Sequence, residues 1–214
     1  MLRFFRLICL AAACAWLPAA EGAVLLYVQD LRLVQSAGLT DGPASPFADF
    51  DYGIAGGGTL ENPDSAARQR SVLGPAFVVM ESTVTGMATR ALSVLRVSFH
   101  LGDTTAWQLD GRLQLTGGTG FSCISLVNLA QRDPVLVNEV LPAPGEENAV
   151  HTFSRSGTLA PGDYELEAII YAGGEGRPEQ GSLEMSFRIP EPCSVTLAGA
   201  GICLLSGRRR QKFA

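Results

Sequence analysis

The chain has 214 residues, a formal net charge of −5 and a composition that is 47% hydrophobic but only 7% aromatic. That length carries one domain with a real core. The acidic balance excludes nucleic acid as a partner, because binding phosphates needs a basic surface.

The chain opens with a short basic stretch, Met1 to Arg6, then an Ala-rich apolar stretch, Leu7 to Leu17, then small residues, Pro18 to Ala23. This three-part order predicts a secretory signal peptide over residues 1–23. Cleavage after Ala20, Gly22 or Ala23 fits the small-residue requirement. A lipoprotein reading through Cys14 is disfavoured, since Ala11 stands where an aliphatic Leu is expected.

Residues 24–189 read as the exported domain. They hold ten arginines, no lysine and nineteen acidic residues, a net charge of −9 that suits solubility outside the cell. Strands are expected at Val24–Leu33, Phe47–Ile54, Val72–Glu81, Leu95–Leu101, Leu109–Leu115, Phe121–Leu129, Val135–Val140, Ala149–Ser154, Tyr164–Tyr171 and Ser182–Ile189. The clearest are those in which apolar residues alternate with polar ones: Leu95, Val97, Phe99 and Leu101, and Leu183, Met185, Phe187 and Ile189. Gly- and Pro-rich turns separate them, among them Asp41-Gly42-Pro43, Gly56-Gly57-Gly58 and Gly117 to Gly120. Ser65 to Gln69 reads as one helical turn. Leu159-Ala160-Pro161-Gly162-Asp163-Tyr164 has the form of a tyrosine corner, and the strands on either side of Gly173–Gly181 are expected to close a final hairpin. About nine short strands and no 3.6-residue period predict an all-β fold. The expected form is an antiparallel Greek-key or jelly-roll-like β-sandwich, flanked by an N-terminal signal helix and a short C-terminal transmembrane helix.

The domain offers little chemistry. Of five cysteines, two lie in the signal and two in the last 22 residues, so Cys123 stands alone and no internal disulfide forms. It is expected to be a buried, inert thiol. A nucleophilic dyad with His100 or His151 has no motif behind it. Asp49 and Asp51 share one face, with Asp41 nearby, which suits Ca²⁺ or, more simply, a solvated strand edge. Trp107 with Tyr52 or Tyr27 offers an aromatic face for sugars, though a core role for Trp107 is the better reading. Gly56 to Gly58 opens no helix and so makes no phosphate cradle. No catalytic, cofactor-binding or metal residue is expected, and the domain reads as non-enzymatic.

The tail, residues 190–214, has three blocks. Pro190, Glu191 and Pro192 end the last strand. Val195 to Leu205 is uncharged and apolar, though shorter than the ~20 residues of a comfortable membrane span. Arg208, Arg209 and Arg210 make a cationic stop that favours the cytoplasmic side. In order and in kind these blocks resemble the PEP-CTERM sorting signal of bacteria that secrete exopolysaccharide. The resemblance covers about an eighth of the chain; Cys193, Thr196 and Cys203 make the span less uniformly apolar than in that family. It implies that the chain is a substrate of an exosortase, a membrane-embedded processing enzyme acting near Pro190–Pro192. It also implies a precursor held in the inner membrane with its domain outside, and a mature form at the cell surface or in the extracellular matrix. The expected role is structural or adhesive in biofilm. The alternatives are a carbohydrate-binding module for exopolysaccharide on the same tail, and a plain membrane-anchored envelope protein without processing.

Overall fold

The computed structural model describes residues 23–43, 45–56, 64–117, 120–130, 135–141, 148–173 and 177–190. These form twelve strands: β1 (Leu26–Ser36), β2 (Leu39–Asp41), β3 (Phe50–Gly56), β4 (Ser65–Gly74), β5 (Phe77–Gly86), β6 (Ala91–Leu101), β7 (Thr105–Thr116), β8 (Phe121–Asn128), β9 (Val135–Leu141), β10 (Asn148–Leu159), β11 (Gly162–Ala172) and β12 (Glu179–Arg188). All pairings are antiparallel. The first sheet runs β2-β1-β6-β11-β8-β9 and the second β10-β7-β12-β5-β4-β3. The described chain is therefore all-β, with two six-stranded sheets packed face to face.

Period-two alternation drives this arrangement. In β6, Leu95, Val97, Phe99 and Leu101 are buried while Leu92, Val94, Arg96 and His100 lie on the other face. In β12, Leu183, Met185 and Phe187 point inward and Glu184 and Arg188 outward. The inner faces meet in an aromatic cluster. Phe99 lies 5.5 Å from Phe187 and 5.8 Å from Tyr164, and Trp107 lies 6.3 Å from Phe187, between ring centroids. Such pairs add about 0.5–1.5 kcal/mol each beyond their buried area. The tyrosine corner forms as expected: the Tyr164 hydroxyl donates to the Ala160 carbonyl at 2.7 Å.

Four expectations change. Ser65 to Gln69 is no helical turn but the start of β4, with Ser65, Ala67, Gln69 and Ser71 facing inward. Its period of two is carried by small and polar residues, so hydropathy did not reveal it. The expected strand Val72–Glu81 is a hairpin, broken at Pro75-Ala76 between β4 and β5. The strands around Gly173–Gly181 do not pair: β11 lies between β6 and β8 in one sheet, β12 between β5 and β7 in the other. Finally, twelve strands replace about nine, among them the three-residue β2.

The inward face of β4 meets β1 and β6 through a buried polar chain rather than apolar packing. Arg32 clasps Asp30 with two hydrogen bonds, Nε to Oδ1 at 2.7 Å and Nη2 to Oδ2 at 2.6 Å, and both side chains are sealed from solvent. Arg32 also donates to the Ala48 carbonyl at 2.6 Å and to Ser71 Oγ at 3.3 Å. Gln69 continues the chain: its oxygen accepts from Ser71 at 3.1 Å while its nitrogen donates to Ser93 at 2.9 Å and to the Val94 carbonyl at 3.0 Å. Ser36, Ser65 and Thr89 link further along. Every member is bonded, as burial of polar groups demands.

Both ends of the described domain are fixed at one place. The Leu25 amide donates to the Pro75 carbonyl at 2.7 Å and the Ile189 amide to the Ala76 carbonyl at 2.8 Å. The β4–β5 turn thus receives the chain as it enters and as it leaves.

Candidate binding face

The outward face of the second sheet carries a row of side chains brought together only by strand register. Asp51 on β3 pairs with Arg70 on β4, Arg70 with Glu81 on β5, Glu81 with Glu184 on β12, Glu184 with Arg112 on β7, and Arg112 with Thr152 on β10. Two carboxylates thus stand directly opposite one another on hydrogen-bonded neighbours, an arrangement that repels. An arginine flanks each of them. Among the described residues, Glu81 and Glu184 have no hydrogen-bond or ion-pair partner, so their oxygens face solvent.

Two adjoining grooves share this carboxylate pair. One, of about 540 Å³, runs over β5, β12, β7 and β10 and includes Asp110, Arg112, Thr152, Ser154 and Ser186. The other, of about 360 Å³, runs over β3, β4, β5 and β12 and includes Asp51, Arg68, Arg70, Thr83 and Ser182. Their rims are already ordered. Asp110 accepts from Ser154 at 2.6 Å and from Gln108 at 2.8 Å, and Asp51 pairs with Arg68 at 3.2 Å. The result is an open strip in which two adjacent carboxylates are flanked on either side by a guanidinium group.

The residues singled out in the sequence do not converge. Trp107 is buried in the core at 7% exposure, which removes it as a sugar platform. Tyr27 turns its hydroxyl to the Gly74 and Phe77 carbonyls, at 2.7 and 3.0 Å, and burial raises its pKa. Tyr52 is exposed, and a hydrogen bond to Asp41 holds its phenol above the ordinary value. Asp49 and Asp51 are both exposed on either side of buried Phe50, while Asp41 also accepts from the Gly42 amide at 2.7 Å. Among the described residues no group of three or more His, Cys, Asp or Glu side chains is placed to hold a metal ion.

Cys123 is half-buried on the outward face of the first sheet, not sealed in the core, with Asn138 Oδ1 3.9 Å from its sulfur. His100 lies on the same face beside Asp163, at 2.8 Å. Six residues of β11 separate their positions in the register, about 20 Å along a strand. His151 lies on the second sheet, against Glu139. No Cys–His dyad forms. Burial, with a smaller push from Glu167, raises the Cys123 thiol to about 11 from 9.0. At about pH 8 its alkylation is therefore expected to run roughly tenfold or more slower than in the urea-unfolded chain, since the thiolate is the reactive form and its greater basicity offsets only part of the loss. Iodoacetamide kinetics read by peptide mass check this.

A second polar cluster escaped the sequence reading. Glu139 on β9, 8% exposed, receives Arg155 Nη2 at 2.6 Å and lies 2.7 Å from His151 Nε2, both on β10. Phe153 stacks against His151 between them. The cluster clamps the edge strands of the two sheets to each other, and no motif marks it.

Pro190, the first residue of the tail, is the last described residue. Glu191, Pro192, Arg208, Arg209 and Arg210 lie outside the described residues, as does the signal segment 1–22. No helix of the described residues is long and apolar enough to cross a membrane.

These features define a two-sheet antiparallel β protein with an open, charged sheet face. No protein-family model matches the chain, and no curated protein does. Among solved structures it is similar to the enzymatically active domain of bacteriophage CBA120 tailspike protein 4, at 9% identity and a TM-score of 0.28, over 59% of this chain and 19% of that one. It is also similar to the structure of the infectious bursal disease virus Gx strain, at 13% identity and a TM-score of 0.25, over 84% of this chain and 59% of that one. The chain thus spans less than two thirds of either protein. At these values neither likeness bears on what this chain does.

Proposed function

We propose that the chain is an exported surface or matrix protein that works by contact rather than catalysis, and that its domain is a jelly roll gripping a hydroxyl-rich polymer such as exopolysaccharide. The jelly-roll reading is supported by the strand orders β5-β12-β7-β10 and β6-β11-β8-β9, with β1 to β4 widening both sheets. The observation that carries the contact reading is the unpartnered Glu81–Glu184 pair between Arg70 and Arg112, open along two grooves. Carboxylates accept from vicinal hydroxyls and guanidinium groups donate to ring and hydroxyl oxygens. The net charge of −9 on residues 24–189 favours neutral over anionic chains.

Export and sorting rest on the segments at the two ends of the sequence. In this reading residues 1–23 are a signal peptide. Pro190, Glu191 and Pro192 present the tail to an exosortase-like membrane enzyme, and Arg208, Arg209 and Arg210 hold the precursor in the inner membrane. Supporting it are the order and kind of the blocks in these two segments: basic, apolar and small residues at one end, and Pro-Glu-Pro, an apolar run and three arginines at the other.

Affinity electrophoresis in gels containing neutral or anionic polysaccharides tests the contact reading. The protein is expected to be retarded by a neutral polysaccharide. Replacing Glu81 and Glu184 together by Gln is expected to weaken that retardation about tenfold or more, from the loss of two charge-assisted acceptors. Equal retardation of both proteins would move the binding surface elsewhere.

A further inference from the structure

One end of the first sheet's outward face holds a cleft, separate from the grooves of the second sheet. Strand register sets Gln35 on β1 opposite Leu92 on β6, and Leu92 opposite Tyr171 on β11. Arg90, just before β6, and the β1–β2 turn at Ala37 and Gly38 close around this row. They leave about 510 Å³, within the ~300–1,000 Å³ of small-ligand sites. The walls are fixed. Tyr171 stacks on Phe121 of β8 at 5.8 Å between ring centroids, and the Arg90 guanidinium carbon lies over the Tyr171 ring, 5.8 Å from its centroid. Ala37 and Gly38 hold φ of +48° and +82°, the two left-handed positions of a tight hairpin turn. Ala37 is seated against Gly56, where an added Cβ would lie 2.7 Å from its own.

The donors lining this cleft are unspent. Arg32, Arg68, Arg96 and Arg155 each hold a carboxylate. Among the described residues Arg90 has no hydrogen-bond or ion-pair partner, and neither do the Gln35 amide and the Tyr171 hydroxyl. A guanidinium stacked on a ring keeps its N–H edge free, in the fork geometry that matches a carboxylate. The nearest outward carboxylate along β11, Glu167, stands four residues from Tyr171 and is bound by Arg96. That is about 13 Å, beyond the ~8 Å over which exposed charges act at physiological salt.

We infer that this cleft binds a single carboxylate-bearing sugar unit, a hexuronate, with the Arg90 guanidinium clasping the carboxylate. The Gln35 amide and the Tyr171 hydroxyl meet ring hydroxyls, and Leu92 lies against the C–H face of the sugar. One unmatched guanidinium fits a monoanion. The net charge of −9 on residues 24–189 disfavours a run of such units. The ligand is therefore a uronate isolated within, or ending, an otherwise neutral chain. The site lies on the sheet opposite the Glu81–Glu184 pair and does not rest on the reading of that face.

Ligand-detected NMR titration of the protein isolated from its host tests this, with glucuronate as the probe and glucose, acetate and inorganic phosphate for comparison. Glucuronate is expected to bind about tenfold or more tighter than any of the three. Arg90→Gln is expected to weaken glucuronate about tenfold or more, the loss of a charge-assisted pair. Tyr171→Phe keeps the ring and its stack but loses the hydroxyl, and is expected to weaken it roughly threefold. Arg188→Gln, at an exposed position on the second sheet, is expected to leave it unchanged. Urea midpoints show whether the variants are folded; if Arg90→Gln is not, the wild-type comparison of the four probes decides. Acetate or phosphate binding as tightly as glucuronate would make the cleft a bare anion site, and glucose binding as tightly would remove the carboxylate's role. Either result would overturn the inference, as would no binding of glucuronate, or a folded Arg90→Gln protein that binds it as well as wild type.

Discussion

Arg32→Ala is expected to destabilise the protein by about 3–5 kcal/mol, because it leaves Asp30 as an uncompensated buried charge. Both side chains are sealed, and Asp30 would retain only the Phe47 amide, at 2.6 Å, of the hydrogen bonds described for it. Ser71 and the Ala48 carbonyl lose a donor in the same step. For a domain of this size the shift amounts to roughly 6–20 °C in Tm. The double variant Asp30→Asn with Arg32→Leu removes both charges together and is expected to recover much of the loss, since replacing a whole buried pair is far less damaging than breaking it. Calorimetry or urea melts of the single and double variants check both values. A loss under about 1 kcal/mol for Arg32→Ala would mean that water reaches the pair.

Gly173→Ala is expected to destabilise by about 2–4 kcal/mol, the sum of a left-handed backbone penalty and overpacking. Gly173 follows β11 with φ of +91°, and a Cβ there would lie 2.5 Å from the Thr89 carbonyl oxygen and 2.7 Å from Gly86 Cα. Gly86 meets the same crossing from the other sheet, its own Cβ position 2.5 Å from the Ala172 carbonyl oxygen. Two backbones touch here, so no flexible side chain can yield. The Gly173 amide also donates to the buried Glu179 carboxylate at 2.5 Å, tying the end of β11 to the start of β12. Gly102→Ala is the matched control. Nothing lies within 4 Å of its added methyl, and a change within about 0.5 kcal/mol is expected.

Much of the fold was legible because β7 and β12 bury apolar residues on one face and show polar ones on the other, and β6 and β11 bury an apolar residue at nearly every second position. Trp107 as a core residue and Tyr164 as a corner followed from composition and from a local motif. The β4 strand was not legible, since its inward residues are Ser65, Ala67, Gln69 and Ser71. Their burial depends on Arg32, Ser93 and Ser36, which are distant in sequence. Strand order was likewise hidden. Tyr164–Tyr171 and Ser182–Ile189 look like a hairpin until the two sheets compete for them. The Glu81–Glu184 pair and the Glu139–His151–Arg155 cluster have no local signature, because register alone brings their members together. Register likewise lines up Leu33, Val94, Ile169 and Val140 across the outward face of the first sheet, although each stands alone in its own strand.

The intact mass and location of the protein isolated from its native host test the account most directly, measured with and without substitution of Pro190 and Pro192. The account predicts a mature wild-type protein outside the inner membrane, lacking residues 1–23 and the apolar, Arg-ending tail. It predicts a substituted protein that keeps the tail and stays in the membrane. A full tail retained in both, with both proteins in the inner membrane, would contradict sorting and make the tail a plain anchor.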